Sequence, residues 1–372
     1  VRIDSLALKN WRNYKGLQLW FDRNLNVLAG ANGQGKTNLL EAISYLANAK
    51  SFRTREESEL VMFGENRLVV TAGIRNRLGD NKLSISFNSE ARSRETAVNG
   101  VSLARGSYLG NFITVLFTPE DLLLVKGGPQ HRRRFIDDEI AKISPLYEHQ
   151  LLKYNQVLRQ RNHLLKTIRF LKERGSELTG WDEQLALLGS AVVVKRRTTV
   201  YRLGLLARLV HRRLSGGAED LYLGYDTSLP AKEDAGGEEI AKAMLLALKQ
   251  KREEELRLGQ TLVGPHRDDL VLRINGKEAR VFASQGQQRT LVLALKLAEL
   301  EFIKGETGEF PVLLFDDVFS ELDVMRRQML LEVLDGKVQT FVSGTEPGKI
   351  GRFKGVLFRV EGGGVSFFDS AF

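Results

Sequence analysis

The chain has 372 residues, 42% of them hydrophobic and 27% charged, a globular composition with room for more than one domain. No apolar run reaches the ~18 residues of a membrane span, and VRIDSLALKNWRNYKG lacks a signal peptide's apolar centre, so a cytoplasmic protein without a membrane partner is expected. The absence of cysteine excludes thiol catalysis, disulfides and thiolate-held zinc, the five histidines show no metal-ligand spacing, and a net charge of +9 favours an anionic partner, nucleic acid before membrane.

Residues 3–9 alternate as a strand, a basic aromatic turn (NWRNY) follows, and residues 17–21 complete a first hairpin. Arg12 in that turn is either a solvated turn residue or a phosphate or adenine contact, since such a turn can fold over a nucleotide. LNVLA at 25–29 reads as a short buried strand and TNLLEAISYLANA at 37–49 as a helix. Between them GANGQGKT fits the phosphate-loop pattern G-x-x-x-x-G-K-[ST] at every fixed position. Glycines let successive N–H groups face one anion, the lysine reaches the β- and γ-phosphates, and the threonine hydroxyl ligates Mg²⁺. Gly30, Ala31, Asn32, Gly33, Gln34, Gly35, Lys36, Thr37 and Asn38 are therefore the candidate contacts for a nucleoside triphosphate, with a glycine-rich turn as the bland alternative. Arg53 and Arg55 can line the same nucleotide or merely solvate a loop.

Residues 67–75 and 82–88 alternate as antiparallel strands, VNG at 98–100 turns a hairpin, and FITVLF at 112–117 is a buried-strand candidate. From 145 to 174 there is no glycine, and Leu151, Tyr154, Leu158, Leu165 and Ile168 make a heptad seam broken only by Arg161. Residues 175–180 break that helix. A second pattern from Trp181 to Val210 ends at Ser215-Gly216-Gly217, which implies an antiparallel helical hairpin. From Gln150 to Leu214 there are 14 Lys and Arg against 4 Asp and Glu, a concentration that favours a polyanion-binding surface over a solvated helical face. Residues 219–239 read as a loop and 238–258 as a third helix.

The remainder returns to β structure: a hairpin over 264–282 turning at Asn275 and Gly276, then SQGQQRT opening a helix over 284–303. FPVLLF at 310–315 runs into Asp316, Asp317 and SELD at 320–323, and 338–343 is one more core strand. A buried strand ending in acids is where a phosphate-loop fold places its second Mg²⁺ contact; the alternative is a cap or turn. The expected architecture is α/β, a phosphate-loop nucleotide-binding head with an antiparallel β subdomain and an inserted α-helical arm. Its expected parts are 1–118 and 259–372 for the head and 119–258 for the arm.

GANGQGKT, SQGQQ and FDDVFSELD, with a helical arm inserted between them, resemble the ATPase head shared by ABC-type, SMC and Rad50 proteins. FTPEDLLLVKGGPQHRRRFIDD, YNQVLRQRNHLLK, GPHRDDL and SQGQQRT resemble the RecF family of bacterial DNA-repair proteins along nearly the whole chain. The resemblance implies an ATP-dependent DNA-binding protein of recombinational repair and replication, acting on duplex DNA and single-strand/duplex junctions. With RecR and RecO, such a protein helps load RecA at gaps. It implies that Lys36 holds the phosphates and that Thr37 and Asp316 hold Mg²⁺, while Asp317 stands where many ABC ATPases carry a catalytic glutamate. Ser284, Gly286 and Gln287 match the signature that contacts ATP on the other subunit of an ATP-dependent homodimer. Asp323 matches the D-loop, and Arg12 the basic residue of the amino-terminal turn. The Q-loop glutamine has no equivalent, Pro119-Glu120-Asp121 standing in its place, and Ser343 to Glu346 replace the switch histidine; both suit a slow ATPase switch. Other readings of the same motifs are a transporter ATPase, which the basic arm disfavours, and a scaffold with a vestigial nucleotide site.

Overall fold

The computed structural model describes residues 1–21, 24–171, 176–230, 232, 234–318, 326–328, 330, 336–345 and 355–368. It divides into two compact units, one made of Val1–Asp121 and Lys296–Phe372, the other of Leu122–Leu295. The chain begins with β1 (Arg2–Trp11), β2 (Tyr14–Trp20), β3 (Leu25–Ala29) and α1 (Lys36–Asn48). There follow β4 (Arg67–Asn76), β5 (Gly79–Asn88), β6 (Ser93–Val98), β7 (Val101–Leu103), α2 (Arg105–Tyr108) and β8 (Thr114–Phe117). Next come α3 (Leu123–Lys126), α4 (Pro129–Ile143), α5 (Pro145–Leu171), α6 (Thr179–Leu214), β9 (Leu221–Asp226) and α7 (Gly237–Leu258). Then come β10 (Asp269–Ile274), β11 (Lys277–Glu278), α8 (Ala279–Phe282) and α9 (Gln285–Thr307), and last β12 (Val312–Phe315), β13 (Thr340–Gly344), β14 (Val356–Glu361) and β15 (Gly364–Phe368). Among the described residues no helix is long and apolar enough to cross a membrane.

The first unit holds two six-stranded sheets. In the sheet of order β15-β14-β3-β13-β12-β8 every neighbouring pair is parallel except β14 with β15. Its central strands are almost wholly buried, as apolar runs such as VLLF must be when a parallel sheet is covered on both faces. Ala29 pairs with Gly344, so β3 and β13 end level, while β12 ends two residues earlier, its Phe315 pairing with Val342. That register puts Asp316 beside Ser343 and Gly30 beside Gly344. The second sheet, of order β2-β1-β4-β5-β6-β7, is antiparallel throughout. The alternation of β4 and β5 turns Leu68, Val70, Ala72, Leu83 and Ile85 into one core, which also takes in Leu39, Leu40 and Ile43 of α1. The terminal hairpin of β14 and β15 was not foreseen, because VLFRV stands outside the motifs that drew the other strand expectations.

The second unit packs α4 to α7 with a three-stranded antiparallel sheet of order β11-β10-β9. The heptad seam holds in part: Tyr154, Leu165 and Ile168 are buried on α5 while Leu151 and Leu158 are half-buried, and Leu185, Val192, Thr199 and Leu203 are buried on α6. Arg161, which interrupts the seam, is fully buried within it. Its Nε donates to Asp182 Oδ1 at 2.7 Å, Nη2 to Glu255 Oε2 at 2.7 Å and Nη1 to Thr261 Oγ1 at 2.8 Å, while Arg252 also pairs with Asp182. Arg196 is likewise buried, making a bidentate pair with Asp137. Two of the 14 basic residues counted on this hairpin are therefore internal struts and cannot face a polyanion.

Three expectations need correction. The break expected over 175–180 ends before Gly180, which is already helical, because a 3-10 turn at Ser176–Leu178 leads straight into α6 and buried Leu178 packs on Leu165 and Ile168. The loop over 219–239 contains β9, whose buried Leu221 and Leu223 alternate with exposed Tyr222 and pair with β10. β9 and β10 lie in the second unit, which runs from Leu122 to Leu295. Residues 279–282 form one helical turn where a second hairpin strand was expected, β11 having only two residues.

His266 supplies a pH test of the second unit. Its Nδ1 lies 2.6 Å from the Tyr154 hydroxyl and its Nε2 3.2 Å from the Thr261 carbonyl, so the neutral ring accepts from one and donates to the other. Burial lowers its pKa to about 4, with Arg267, Arg133 and Arg161 adding to the shift and the Thr261 carbonyl opposing it. In unfolded chains a histidine titrates near ~6.5. Between these values the unfolded state holds a proton that the folded state does not, so this residue's contribution is lost as pH falls through that window. Urea unfolding of wild type and His266→Gln should give a stability difference that shrinks steadily from pH 7 to pH 4.5; a difference independent of pH would contradict the assignment.

Candidate nucleotide-binding site

Residues 30–37 connect β3 to α1, and their backbone requires glycine at three points. Gly33 and Gly35 have φ of 80° and 114°, a region that side-chain-bearing residues avoid. Gly30 packs so closely on the β14 strand that a Cβ would lie 2.3 Å from the Val360 carbonyl oxygen. The loop is braced from two sides. The Tyr14 hydroxyl donates to the Gly35 carbonyl at 3.0 Å and Asn13 Nδ2 to the Gln34 carbonyl at 3.1 Å, while the Gly362 N–H reaches Gln34 Oε1 at 2.7 Å. Asn38 Nδ2 donates to Asn13 Oδ1, closing the connection between turn and helix.

Lys36 is buried, and its Nζ donates to the carbonyls of Gly30 and Ala31 at 2.7 and 2.8 Å. Burial lowers its pKa, with the charges of Asp317 and Asp316 opposing the shift. Thr37 Oγ1 donates to Asp316 Oδ1 at 2.8 Å across 279 residues of sequence, and Ser343 Oγ donates to the same oxygen at 2.9 Å. Burial raises the Asp316 pKa against the pull of these two hydroxyls, so the carboxylate sits in a place that favours a nearby cation. Asp317 is exposed, with φ of 57°, and its N–H donates to Ser343 Oγ at 2.8 Å. A non-glycine residue held there stores roughly 1 kcal/mol or more of strain, a feature common at functional sites.

Arg12 and Arg53 converge on one residue that sequence reasoning missed. Glu41, one turn beyond Thr37, is fully buried and receives Arg12 Nε and Nη2 at 3.0 and 2.8 Å, Arg53 Nη1 at 3.3 Å and Ser51 Oγ at 2.6 Å. Arg53 also donates to Asn38 Oδ1 at 2.7 Å. Both arginines are thus held by hydrogen bonds beside the first turns of α1, Arg53 remaining exposed, as Arg55 is. The one available signal was a glutamate on the apolar face of an otherwise core-facing helix. In the Q-loop position, Asp121 caps its own turn by accepting from the Thr118 N–H and pairs with buried Lys296 at 3.3 Å.

The signature residues lie in the second unit, at the amino-terminal end of α9. Ser284 and Gln287 form a reciprocal capping box: the Ser284 N–H donates to Gln287 Oε1 at 2.8 Å and the Gln287 N–H to Ser284 Oγ at 3.3 Å. Ser284 and Gly286 are exposed, so the positive end of a helix dipole faces outward there. Asp323 lies outside the described residues. On the helical hairpin Lys153, Arg159, Lys166 and Arg169 of α5 and Arg202, Arg212 and Arg213 of α6 are exposed, while exposed Arg208 pairs with Asp220.

A sequence profile described as the RecF/RecN/SMC N terminal domain matches residues 2–354. The DNA replication and repair protein RecF of Natranaerobius thermophilus is 42% identical, over 98% of this chain and 97% of its own. A solved structure of the recombination mediator protein RecF-ATP in the RecFOR pathway is 36% identical with a TM-score of 0.91, covering 98% of this chain and 97% of that one. An SMC head bound to the C-winged helix domain of ScpA is only 15% identical but superposes with a TM-score of 0.57, over 99% of this chain and 98% of that one, and shares the fold. The chain belongs to the RecF family, and its fold is the α/β phosphate-loop head of that family and of SMC proteins.

Proposed function

We propose that the protein is an ATP-binding, DNA-binding protein of replication and recombinational repair, in which ATP joins two copies around DNA. The observation that carries this reading is the 2.8 Å hydrogen bond from Thr37 to Asp316, which unites the phosphate loop with the acidic strand end. Lys36 would bind the β- and γ-phosphates. Thr37 and Asp316 would hold Mg²⁺, an oxygen donor pair that suits a hard cation. Asp317 would orient the water for slow hydrolysis, and Ser284, Gly286 and Gln287 would close on ATP held by the other copy. The relatives' names support a repair role, and assistance to RecR and RecO in loading RecA is the extension proposed here.

Sedimentation with saturating Mg-ATP is expected to show a dimer for wild type and a monomer for Ser284→Arg, which fills the exposed helix end. Duplex binding should weaken at least about tenfold between ~50 and ~200 mM salt, the response of two or more phosphate contacts. Wild type that remains monomeric with ATP would overturn the reading, and salt-insensitive binding would remove the basic hairpin from it.

A further inference from the structure

One carboxylate lies between the signature segment and the end of the basic helix, hydrogen-bonded to the first and in close contact, without a hydrogen bond, with the buried histidine of the second. Glu219 Oε1 accepts from Gln287 Nε2 at 2.9 Å, and its Oε2 lies 3.5 Å from His211 Nε2. A carboxylate only accepts, so Glu219 dictates which way the Gln287 amide points: its NH₂ faces Glu219 and its oxygen is left for the Ser284 N–H. His211 is fully buried in the last turn of α6, immediately before exposed Arg212 and Arg213. The loop that carries Glu219 has little freedom. Gly216 and Gly217, with φ of 62° and 84°, end α6, and Asp220 is clamped by reciprocal hydrogen bonds to Asn275 at 2.8 Å and by Arg208.

We propose that Glu219 is a positioning residue that couples polyanion binding on α6 to the signature segment. An anion drawn to Arg212 and Arg213 acts on the helical turn that holds His211, and Glu219 passes any shift of that turn to the Gln287 amide and hence to the Ser284 cap. This inference rests on the proposed ATP-dependent dimer, in which the signature completes the site of the other copy. It adds a route by which DNA on the hairpin tightens the dimer.

The test uses the full chain with Mg-ATP, measuring dimer dissociation by sedimentation equilibrium with and without a short duplex. Wild type should dimerise, and more tightly with duplex. Glu219→Ala should weaken the dimer about tenfold, the effect of losing a hydrogen bond to a charged group, and abolish the tightening by duplex. A fluorescent ATP analogue should still bind its monomer with unchanged affinity. Gln287→Ala should give the same loss, and the double variant no further loss, since both remove one link. Glu219→Gln keeps the shape but can donate as well as accept, so it no longer dictates how the Gln287 amide points; it should fold as wild type and still lose most of the duplex effect, and if Glu219→Ala fails to fold, this variant decides. A Glu219 variant that dimerises and responds to duplex as wild type does, or losses that add in the double variant, would overturn the inference while leaving the dimer reading intact. Wild type that never dimerises would overturn that reading first.

Discussion

Replacing Lys36 with alanine is expected to weaken ATP binding by about 30-fold or more, with little change in thermal stability. The ammonium sits in a buried position among the loop carbonyls of Gly30 and Ala31, with Asp316 and Asp317 as the acidic charges that oppose its lowered pKa. A triphosphate at the loop brings several negative charges to that point, where screening by water is weak. Truncating one partner of such a buried charged contact costs roughly 2–5 kcal/mol, which is a factor of about 30 to several thousand in affinity. The folded loop loses two hydrogen bonds to backbone carbonyls, but Tyr14, Asn13 and the Gly362 N–H still brace it. Titration with a fluorescent ATP analogue beside a thermal melt separates the two effects. Affinity within about threefold of wild type would mean that the loop does not bind a triphosphate through Lys36.

The largest stability loss is expected at Arg161. Arg161→Ala should cost about 3–5 kcal/mol, because it leaves Asp182 and Glu255 buried beside one another without their shared cation. Burial already raises the Glu255 pKa, and Arg161 is the strongest influence holding it down. Without the guanidinium, Glu255 is pushed further up and takes a proton nearer neutrality. Arg252 still reaches Asp182, so part of the network survives. Arg159→Ala, exposed on the same helix, should stay within about 0.5 kcal/mol of wild type. Urea midpoints of the two variants provide the comparison, and a loss under about 1 kcal/mol for Arg161→Ala would contradict the buried network. The same pair tests the charge argument, since only Arg159 can contribute to the salt dependence of DNA binding.

Arg161 also marks where sequence reading stopped. The heptad pattern located both long helices because burial at every third and fourth residue leaves a periodic trace in one dimension. That periodicity registered Arg161 only as a break, since its partners lie on α6, on α7 and at Thr261, far away in sequence. Counting its charge with the surface basic residues was the natural consequence. The strand β9 was missed for a related reason: LYLGYD is short and follows acidic and glycine-rich residues, and only pairing with β10 stabilises it as a strand.

For the candidate nucleotide site, the sequence alone determined the loop, its lysine and threonine, and the acidic strand end, because a glycine-built backbone cradle demands particular residue types at fixed local spacing. Only the tertiary structure decided what surrounds them. Parallel pairing of β3, β13 and β12 brings Thr37 to Asp316 and adds Ser343 to the same oxygen, the turn at Asn13 and Tyr14 braces the loop, and Glu41 gathers Arg12 and Arg53. Glu219 became visible as the partner of the signature glutamine in the same way. Hydrogen bonds and ion pairs between distant segments depend on sheet register and helix packing, and neither is written in local composition.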